Sequence, residues 1–175
     1  MKLFAERGYA DVTVADIADA AEVSRATVFT YYPAKEDIVL GDSPRAIESL
    51  RAALAEAGDG AVVDTVREWM RSLIGWVDED VVLQRRLAAE VPAVAAARSR
   101  VVGTIETVIA EALTRELGPE RALAARLVAG SLTAALQAVE AEAAARAAVP
   151  GQDEVDALLD QVHAFVAGGL AGLDR

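Results

Sequence analysis

Residues 12–38 constrain the fold of this chain more than any other stretch, because they predict two short helices joined by a tight turn. The first helix is expected at about 14–21, with Thr13 as its N-cap. The Thr13 hydroxyl can accept a backbone N–H at the start of the helix. Asp16 stands three positions after it, where an acidic side chain can complete a capping box.

The turn and the second helix follow directly. Glu22 and Val23 form the turn, and Val23 is expected to enter the crevice between the helices. Ser24 is expected to cap the second helix, which buries Val28 together with one of the tyrosines. The residues left facing outward are Arg25, Ala26, Thr27, Phe29 and Tyr31.

This outward face has the composition of a helix that reads DNA. Arg25 stands in the first turn, where base edges are reached, and an arginine can donate two hydrogen bonds to guanine. Such a pair is worth roughly 1–3 kcal/mol of base discrimination. Side chains suited to phosphate contacts are those of Ser24, Thr27, Tyr31 and Lys35. The pattern predicts a DNA-binding helix-turn-helix, and the alternative is a helical hairpin with no role in DNA binding.

The first forty residues also resemble a known family. The likeness is carried by Leu3-Phe4-Ala5-Glu6-Arg7-Gly8-Tyr9, Thr13-Val14, Ile17-Ala18, Ala21, Val23-Ser24, Thr27-Val28-Phe29, Tyr31-Tyr32 and Lys35-Glu36. These positions closely resemble the DNA-binding domain of TetR-family repressors. The resemblance implies a dimeric, all-helical transcription regulator whose C-terminal helices bind a small effector. It assigns phosphate contacts mainly to Thr13, Ser24, Thr27, Tyr31 and Lys35, and base contacts to Arg25, Ala26 and Phe29.

Three features depart from the family's pattern. Glu22 stands where the family has glycine, so we expect a left-handed residue there that costs on the order of 1 kcal/mol. Phe29 replaces a common tyrosine, which would remove one phosphate hydrogen bond. Met1 falls within what would be the last turns of the first helix. An alternative is therefore a dimeric ligand-binding protein whose DNA binding is impaired.

The charge of the DNA-reading segment is unusual. Residues 1–45 hold five Lys and Arg against eight Asp and Glu, and the whole chain has a formal net charge of −11. Phosphate neutralisation normally supplies most of the sequence-independent affinity for DNA. We therefore expect weak non-specific binding that tolerates salt poorly, and specific binding that depends on a local basic surface.

The predicted fold class is all-α, in two domains. A helix-turn-helix domain is expected at 1–45, and a helical ligand-binding and dimerisation domain at 46–175. The chain is 54% hydrophobic but only 5% aromatic, which favours helices packed closely on alanine. A helix over 35–57, broken or kinked near Pro44, is expected to link the domains. Further helices are expected at about 62–77, 79–91 and 94–117, followed by two long helices separated by the turn at 149–151.

The last two helices carry the clearest apolar stripes, with residues recurring at helical spacing. One row of the first begins with Leu123 and Leu127, beside a second row that contains Leu132 and Leu136. An antiparallel pair of this kind can meet its copy across a two-fold axis in a four-helix bundle, which is how the resembled family dimerises. The predicted interface residues are Leu132, Leu136, Val155, Leu158, Leu159, Val162 and Val166. The alternative is that both stripes are buried within one subunit.

The helices between residues 62 and 140 are expected to enclose an effector cavity. Its predicted lining is Trp69, Met70, Leu73 and Trp76 on one side, with Val102, Ile105, Ile109 and Leu132 opposite. The segment 84–92, with Arg98 and Arg100, resembles actinobacterial TetR-like regulators of the mycofactocin system, which respond to fatty acyl-CoA. The resemblance implies a small hydrophobic, acyl-CoA-like effector whose phosphates are held by arginines such as Arg86. The alternatives are that the aromatic residues are core and the arginines form a solvated face.

The residue inventory argues against an enzyme. The chain has no cysteine and a single histidine, His163, which excludes a thiol nucleophile and a multi-histidine metal site. We expect no cofactor and no metal. No apolar run reaches about 18 residues and no signal peptide is seen, so we expect a cytoplasmic protein without membrane insertion. The sequence predicts a homodimeric repressor that binds palindromic double-stranded operator DNA and is released by its effector.

Overall fold

The protein is described by a computed structural model that covers residues 1–74, 79–145 and 152–172. All regular secondary structure within these ranges is helical, which confirms the all-α fold class. The α-helices are α1 (Lys2–Arg7), α2 (Val14–Ala20), α3 (Arg25–Tyr31), α4 (Lys35–Val39), α5 (Ser43–Glu56), α6 (Val62–Ile74), α7 (Glu79–Glu90), α8 (Pro92–Leu117), α9 (Ala122–Ala145) and α10 (Gln152–Gly172). A short 3₁₀ helix, Pro119–Arg121, precedes α9.

The chain divides into two compact units. The first contains Met1–Ser43, α7 and the beginning of α8 through Arg100, and is called the reading head below. The second begins at Pro44 and contains α5, α6, the rest of α8, α9 and α10. A reading domain limited to 1–45 therefore leaves out two helical segments that belong to the same unit.

The reading head has its own small core. Its helices α1 to α4 are five to seven residues long, too short to be stable in isolation. Helices α7 and α8 supply the apolar surface that these short helices need. The buried residues are Phe4, Val12, Val39, Leu83, Leu87 and Val94.

The expected break near Pro44 is confirmed. Helix α4 ends at Val39, and α5 begins at Ser43 with Pro44 in its first turn. Proline is tolerated there because the first N–H groups of a helix have no intrahelical partner. The helix expected over 35–57 is therefore two helices.

The second unit is built on a larger core to which α5, α6, α8, α9 and α10 all contribute. Leu50, Met70, Ile109, Leu113 and Leu132 are its largest fully buried side chains. On the surface, α6 and α10 are joined by three charged contacts at one-turn intervals. They are His163 Nε2 to Asp64 Oδ1 at 2.8 Å, Arg67 to Asp160, and Arg71 Nε to Asp156 Oδ1 at 2.8 Å. Since the numbers rise along α6 and fall along α10, these contacts fix an antiparallel register.

The predicted dimer interface needs correction. Leu132, Leu136, Leu159 and Val166 are at most 7% exposed and lie in the core of their own subunit. Leu158 and Val162 pack against that core, and the Val155 side chain lies outside the described residues. The stripes on α9 and α10 are thus used within one chain, because other helices of the same unit cover them. The large apolar side chains left exposed on these two helices are Leu123, Leu127 and Phe165.

Candidate DNA-binding site

The start of α2 is held by a capping box and an ion pair. Asp16 N–H donates to Thr13 Oγ1 at 3.1 Å, and Thr13 N–H donates to Asp16 Oδ2 at 2.7 Å. The Thr13 hydroxyl also donates to the same carboxylate. Arg7 Nη1 lies 3.1 Å from Asp16 Oδ1, and Arg7 Nη2 donates to the Asp11 carbonyl at 2.9 Å. These contacts tie α1 to α2.

The pKa of the Asp16 carboxyl reports the same network. Hydrogen bonds from Thr13, and then from Arg7, lower this pKa to about 2. Both hydrogen-bond donors of Thr13 are therefore directed at Asp16. The structure confirms Thr13 as a cap, and it leaves no free donor for the phosphate contact predicted for this residue.

The turn between α2 and α3 follows one expectation and breaks another. Glu22 has a φ of 55°, the left-handed conformation expected where the resembled family has glycine. Val23 N–H donates to the Ala18 carbonyl at 3.0 Å, which closes the turn. The Val23 side chain, however, is 41% exposed, so its predicted burial is wrong. The helix pair instead buries Ala18 and Val28.

Helix α3 begins at a second side-chain cap. Ser24 Oγ accepts the Thr27 N–H at 3.0 Å and lies 2.8 Å from Thr27 Oγ1. Both hydroxyls remain exposed. Tyr32, at the C-cap, is the partly buried tyrosine of this helix, whereas Tyr31 is 72% exposed.

The outward face of α3 has the predicted composition. Exposed residues along it are Arg25, Ala26, Thr27, Phe29, Thr30 and Tyr31. Thr30 was not among the predicted contacts, although its exposed hydroxyl lies one turn after Ala26, to whose carbonyl it donates at 2.9 Å. Since Arg25 is the only charged residue of α3, it dominates the electrostatics of this surface.

Arg25 differs from the other cations near it. Lys2 lies 4.0 Å from Glu6, and Arg7 is bound to Asp16. Within the described residues, the Arg25 side chain takes part in no hydrogen bond or ion pair. Its guanidinium can therefore approach DNA without breaking a contact inside the protein.

Lys35 has an intramolecular partner that the sequence analysis missed. Its Nζ lies 4.0 Å from the centroid of the Tyr9 ring and donates to the Tyr9 carbonyl. Burial lowers the pKa of Lys35, an effect opposed by Asp11 and Asp16. Tyr9 and Lys35 are 26 positions apart, so no local periodicity connects them.

The residues predicted to line an effector cavity are mostly core. Trp69, Met70, Ile105, Ile109 and Leu132 are buried, and the Trp69 indole N–H donates to Ser49 Oγ at 3.0 Å. Leu73 and Val102 are partly buried, and Trp76 lies outside the described residues. Arg86 is exposed and belongs to the reading head, whereas the other described members belong to the second unit.

Two cavities formed by described residues lie elsewhere. One of about 680 Å³ in the second unit is lined by Gly103, Glu106, Thr107, Ala110, Glu111, Thr114, Arg115, Ala122 and Arg126. One of about 500 Å³ in the reading head is lined by Lys2, Ala5, Glu6, Asp80, Val82, Leu83 and Arg86. Arg86 is thus the only predicted effector contact that lines either of them.

Two further searches of the described residues concern membranes and metals. None of the described helices is long and apolar enough to cross a membrane. The same residues contain no group of three His, Cys, Asp or Glu side chains placed to hold a metal ion.

The capped helix pair and its exposed third helix define a helix-turn-helix DNA-binding protein. Residues 1–41 match the family described as "Bacterial regulatory proteins, tetR family". The chain is therefore a TetR-family regulator, and proteins of this kind are not enzymes.

A curated relative and two solved structures agree with this assignment. The chain is 43% identical over 54 residues to MftR of Mycobacterium tuberculosis, described as a mycofactocin biosynthesis transcriptional regulator. That alignment covers 31% of this chain and only 27% of the relative. The structure of FadR from Bacillus halodurans, a fatty acid degradation regulator, has a TM-score of 0.56 at 22% identity, covering 96% of this chain and 94% of that one.

The second solved structure is from Mesorhizobium loti and is described as a TetR-family transcriptional regulator. It has a TM-score of 0.55 at 23% identity, and covers 97% of this chain and 90% of that chain. At these identities the two structures show that the fold is shared along nearly the whole chain.

Proposed function

We propose that this protein is a homodimeric transcription repressor that binds a palindromic operator through α2 and α3 and is released by a small hydrophobic effector. The observation that carries the proposal is Arg25, which is exposed and unpaired in the first turn of a capped helix. A regulator of this kind acts where the chromosome is, so the proposal places it in the cytoplasm.

The contacts with DNA follow from the exposed face of α3. Arg25 is proposed to read a guanine, while Ala26 and Phe29 approach neighbouring bases, where an apolar side chain can contact a thymine methyl group. Ser24, Thr27, Tyr31 and Lys35 are proposed to contact phosphates. Thr13 is left out of this set because both of its donors are held by Asp16.

A seven-residue helix can reach only a few bases, so selective binding calls for two heads on two half-sites. We propose that the dimer forms through the outer face of α9 and α10. Leu123 and Leu127 are 70% and 64% exposed and lie one turn apart on α9, and Phe165 on α10 is 72% exposed. Exposed small residues, Ala134 and Gly168 among them, allow close approach of a second copy.

The dimer face is tested by a charge on an exposed position. Phe165→Glu should give a folded monomer in light scattering, because it buries a charge at the proposed interface and disturbs no internal contact. Ala164→Glu, on a neighbouring exposed position, is the matched control for charge alone. A dimer that persists in Phe165→Glu would move the interface to another surface.

The proposed effector is acyl-CoA-like. The proposal is supported by the likeness of segment 84–92 to mycofactocin-system regulators and by the names of MftR and FadR. An effector that wedged between Trp69 and Ile109 would have to separate packed side chains, so its site must open as it binds. Oleoyl-CoA, with free CoA and oleate as controls, is the probe for release of DNA.

The experiment for the whole proposal begins with selection of binding sequences from a randomised duplex library. The enriched duplex and a scrambled control are then titrated by fluorescence anisotropy at two salt concentrations. A palindrome bound selectively by wild type, and no longer distinguished by Arg25→Ala, is the expected result. Equal binding to both duplexes would instead support a ligand-binding protein with impaired DNA binding, as the acidic excess of residues 1–45 would favour.

A further inference from the structure

Tyr9 makes contacts that the proposed function does not use. It lies between α1 and α2, next to Gly8, whose φ of 80° turns the chain away from α1. Its ring stacks on Phe4, with centroids 5.6 Å apart and an angle of 26° between the planes. Phe4 is itself buried in the core of the reading head. The Tyr9 ring is therefore a rigid platform at the edge of that core.

The first turn of α4 rests on this platform. Lys35 is the first residue of α4, and its ammonium lies over the Tyr9 ring while it donates to the Tyr9 carbonyl. Glu36 is next along the helix, and its carboxylate adds to the effect of burial in raising the pKa of Tyr9. Two consecutive residues of α4 thus meet the same aromatic side chain.

The backbone end of Lys35 is also held. Asp37 Oδ2 accepts the Ala34 N–H at 3.0 Å, and Asp37 Oδ1 lies 3.2 Å from Arg100 Nη2 of α8. A long side chain that is fixed at its backbone and at its charged tip has already lost most of its rotamer freedom. An ammonium has three N–H donors, so the contact with one carbonyl leaves others for an incoming anion.

We propose that Tyr9 is a positioning residue for operator binding, which holds the Lys35 ammonium ready for a DNA phosphate. The inference rests on the proposed function, since it needs a duplex that the protein binds selectively. Preorganisation of a contact group raises affinity by removing an ordering cost that would otherwise be met on binding. Tyr9 itself touches no DNA in this scheme and acts through Lys35.

A double-mutant cycle on the selected duplex separates positioning from simple structural support. Tyr9→Leu should weaken binding about two- to fivefold, as expected for an exposed cation–aromatic contact. In a Lys35→Met background the same change should have no further effect, because the group being positioned is gone. Lys35→Met should also reduce the slope of log affinity against log salt by about 0.9, the value for one phosphate contact.

A second series guards against loss of folding in Tyr9→Leu. Phenylalanine and then 3,4,5-trifluorophenylalanine at position 9 keep the ring's shape while weakening its attraction for a cation. Affinity should fall along this series in wild type and stay constant with Lys35→Met. Helicity measured by circular dichroism should be the same throughout.

The outcomes separate the two proposals. A selection that enriches no duplex overturns the proposed function, and this inference with it. Selective wild-type binding with additive effects of the changes at positions 9 and 35 overturns the positioning role alone. An unchanged salt slope in Lys35→Met would show that Lys35 meets no phosphate, and would also overturn it.

Discussion

The reading head and the second unit are held together by different kinds of contact. In the head, α2 and α3 have seven residues each, and both begin at a side-chain cap. In the second unit, α8 and α9 have 26 and 24 residues and are held by a continuous apolar core. Polar contacts at helix ends are individually weak and exposed to solvent, whereas buried side chains are costly to remove. The head is therefore expected to respond to mutation in small steps and the second unit in large ones.

The largest effect is expected in the second core. Leu159→Ala should lower the free energy of unfolding by about 2–5 kcal/mol, because it leaves a cavity among buried side chains. Leu127→Ala, at an exposed position, should change it by no more than about 0.5 kcal/mol. Urea titrations at a protein concentration where both variants have the same oligomeric state make the comparison. Similar losses in both variants would contradict the burial of Leu159.

A smaller effect is expected where the head meets DNA. Arg25→Ala should remove roughly 1–3 kcal/mol of discrimination between the selected duplex and one with its guanine replaced. Arg25→Lys keeps the charge but loses the paired donors, so it should retain affinity and lose selectivity. Competition titrations with the two duplexes measure both quantities. Selectivity retained in Arg25→Ala would remove this residue from base reading.

The cap of α2 gives a change of about 1 kcal/mol. Thr13→Ala should destabilise the head by that amount, because the Asp16 N–H loses its acceptor. Thr13→Ser keeps the hydroxyl and is the control. Hydrogen exchange of the α2 amides isolates the head from the rest of the chain, and protection equal to wild type in Thr13→Ala would show that the cap contributes nothing.

The turn offers a gain rather than a loss. Glu22→Gly should stabilise the protein by about 0.4–1 kcal/mol, since glycine adopts a φ of 55° without strain. Glu22→Ala removes the same charge and keeps the strain, so it should bring no gain. Thermal unfolding of both variants beside wild type tests this, and equal stability of the two variants would refute backbone strain at Glu22.

The smallest effect concerns acid. The pKa of Asp16 is about 2 in the folded chain, below the ordinary value of 3.8, so its contribution to stability is complete above about pH 4. That contribution is lost as the pH falls from about 4 to 2, because the carboxylate must then be protonated. Asp16→Asn should remove this part of the pH dependence of α2 amide protection. An identical acid profile in the variant would assign the loss to other carboxylates.

The elements read correctly from the sequence depend on neighbours in the chain. The caps at Thr13 and Ser24 act on residues three positions away, and the left-handed Glu22 follows from the length of one turn. The exposed face of α3 follows in the same way, because a single buried position, Val28, sets the orientation of a seven-residue helix.

The errors lie where a choice depends on distant helices. Leu132 and Leu127 are both apolar residues of α9, yet the first is 2% exposed and the second 64%. Their own helix does not distinguish them, and only the packing of the other helices does. The exposure of Val23 and the contact between Tyr9 and Lys35 belong to the same class.

The sequence by itself determined the helical class, the two capped helices and the family whose DNA-binding domain this chain carries, since these rest on local spacing and on side-chain type. The tertiary structure alone decided which apolar stripe faces inward, that α7 and the start of α8 join the reading head, and that Tyr9 holds Lys35. The physical reason is that capping and turn formation act over three or four residues, whereas burial is shared among helices far apart in the chain.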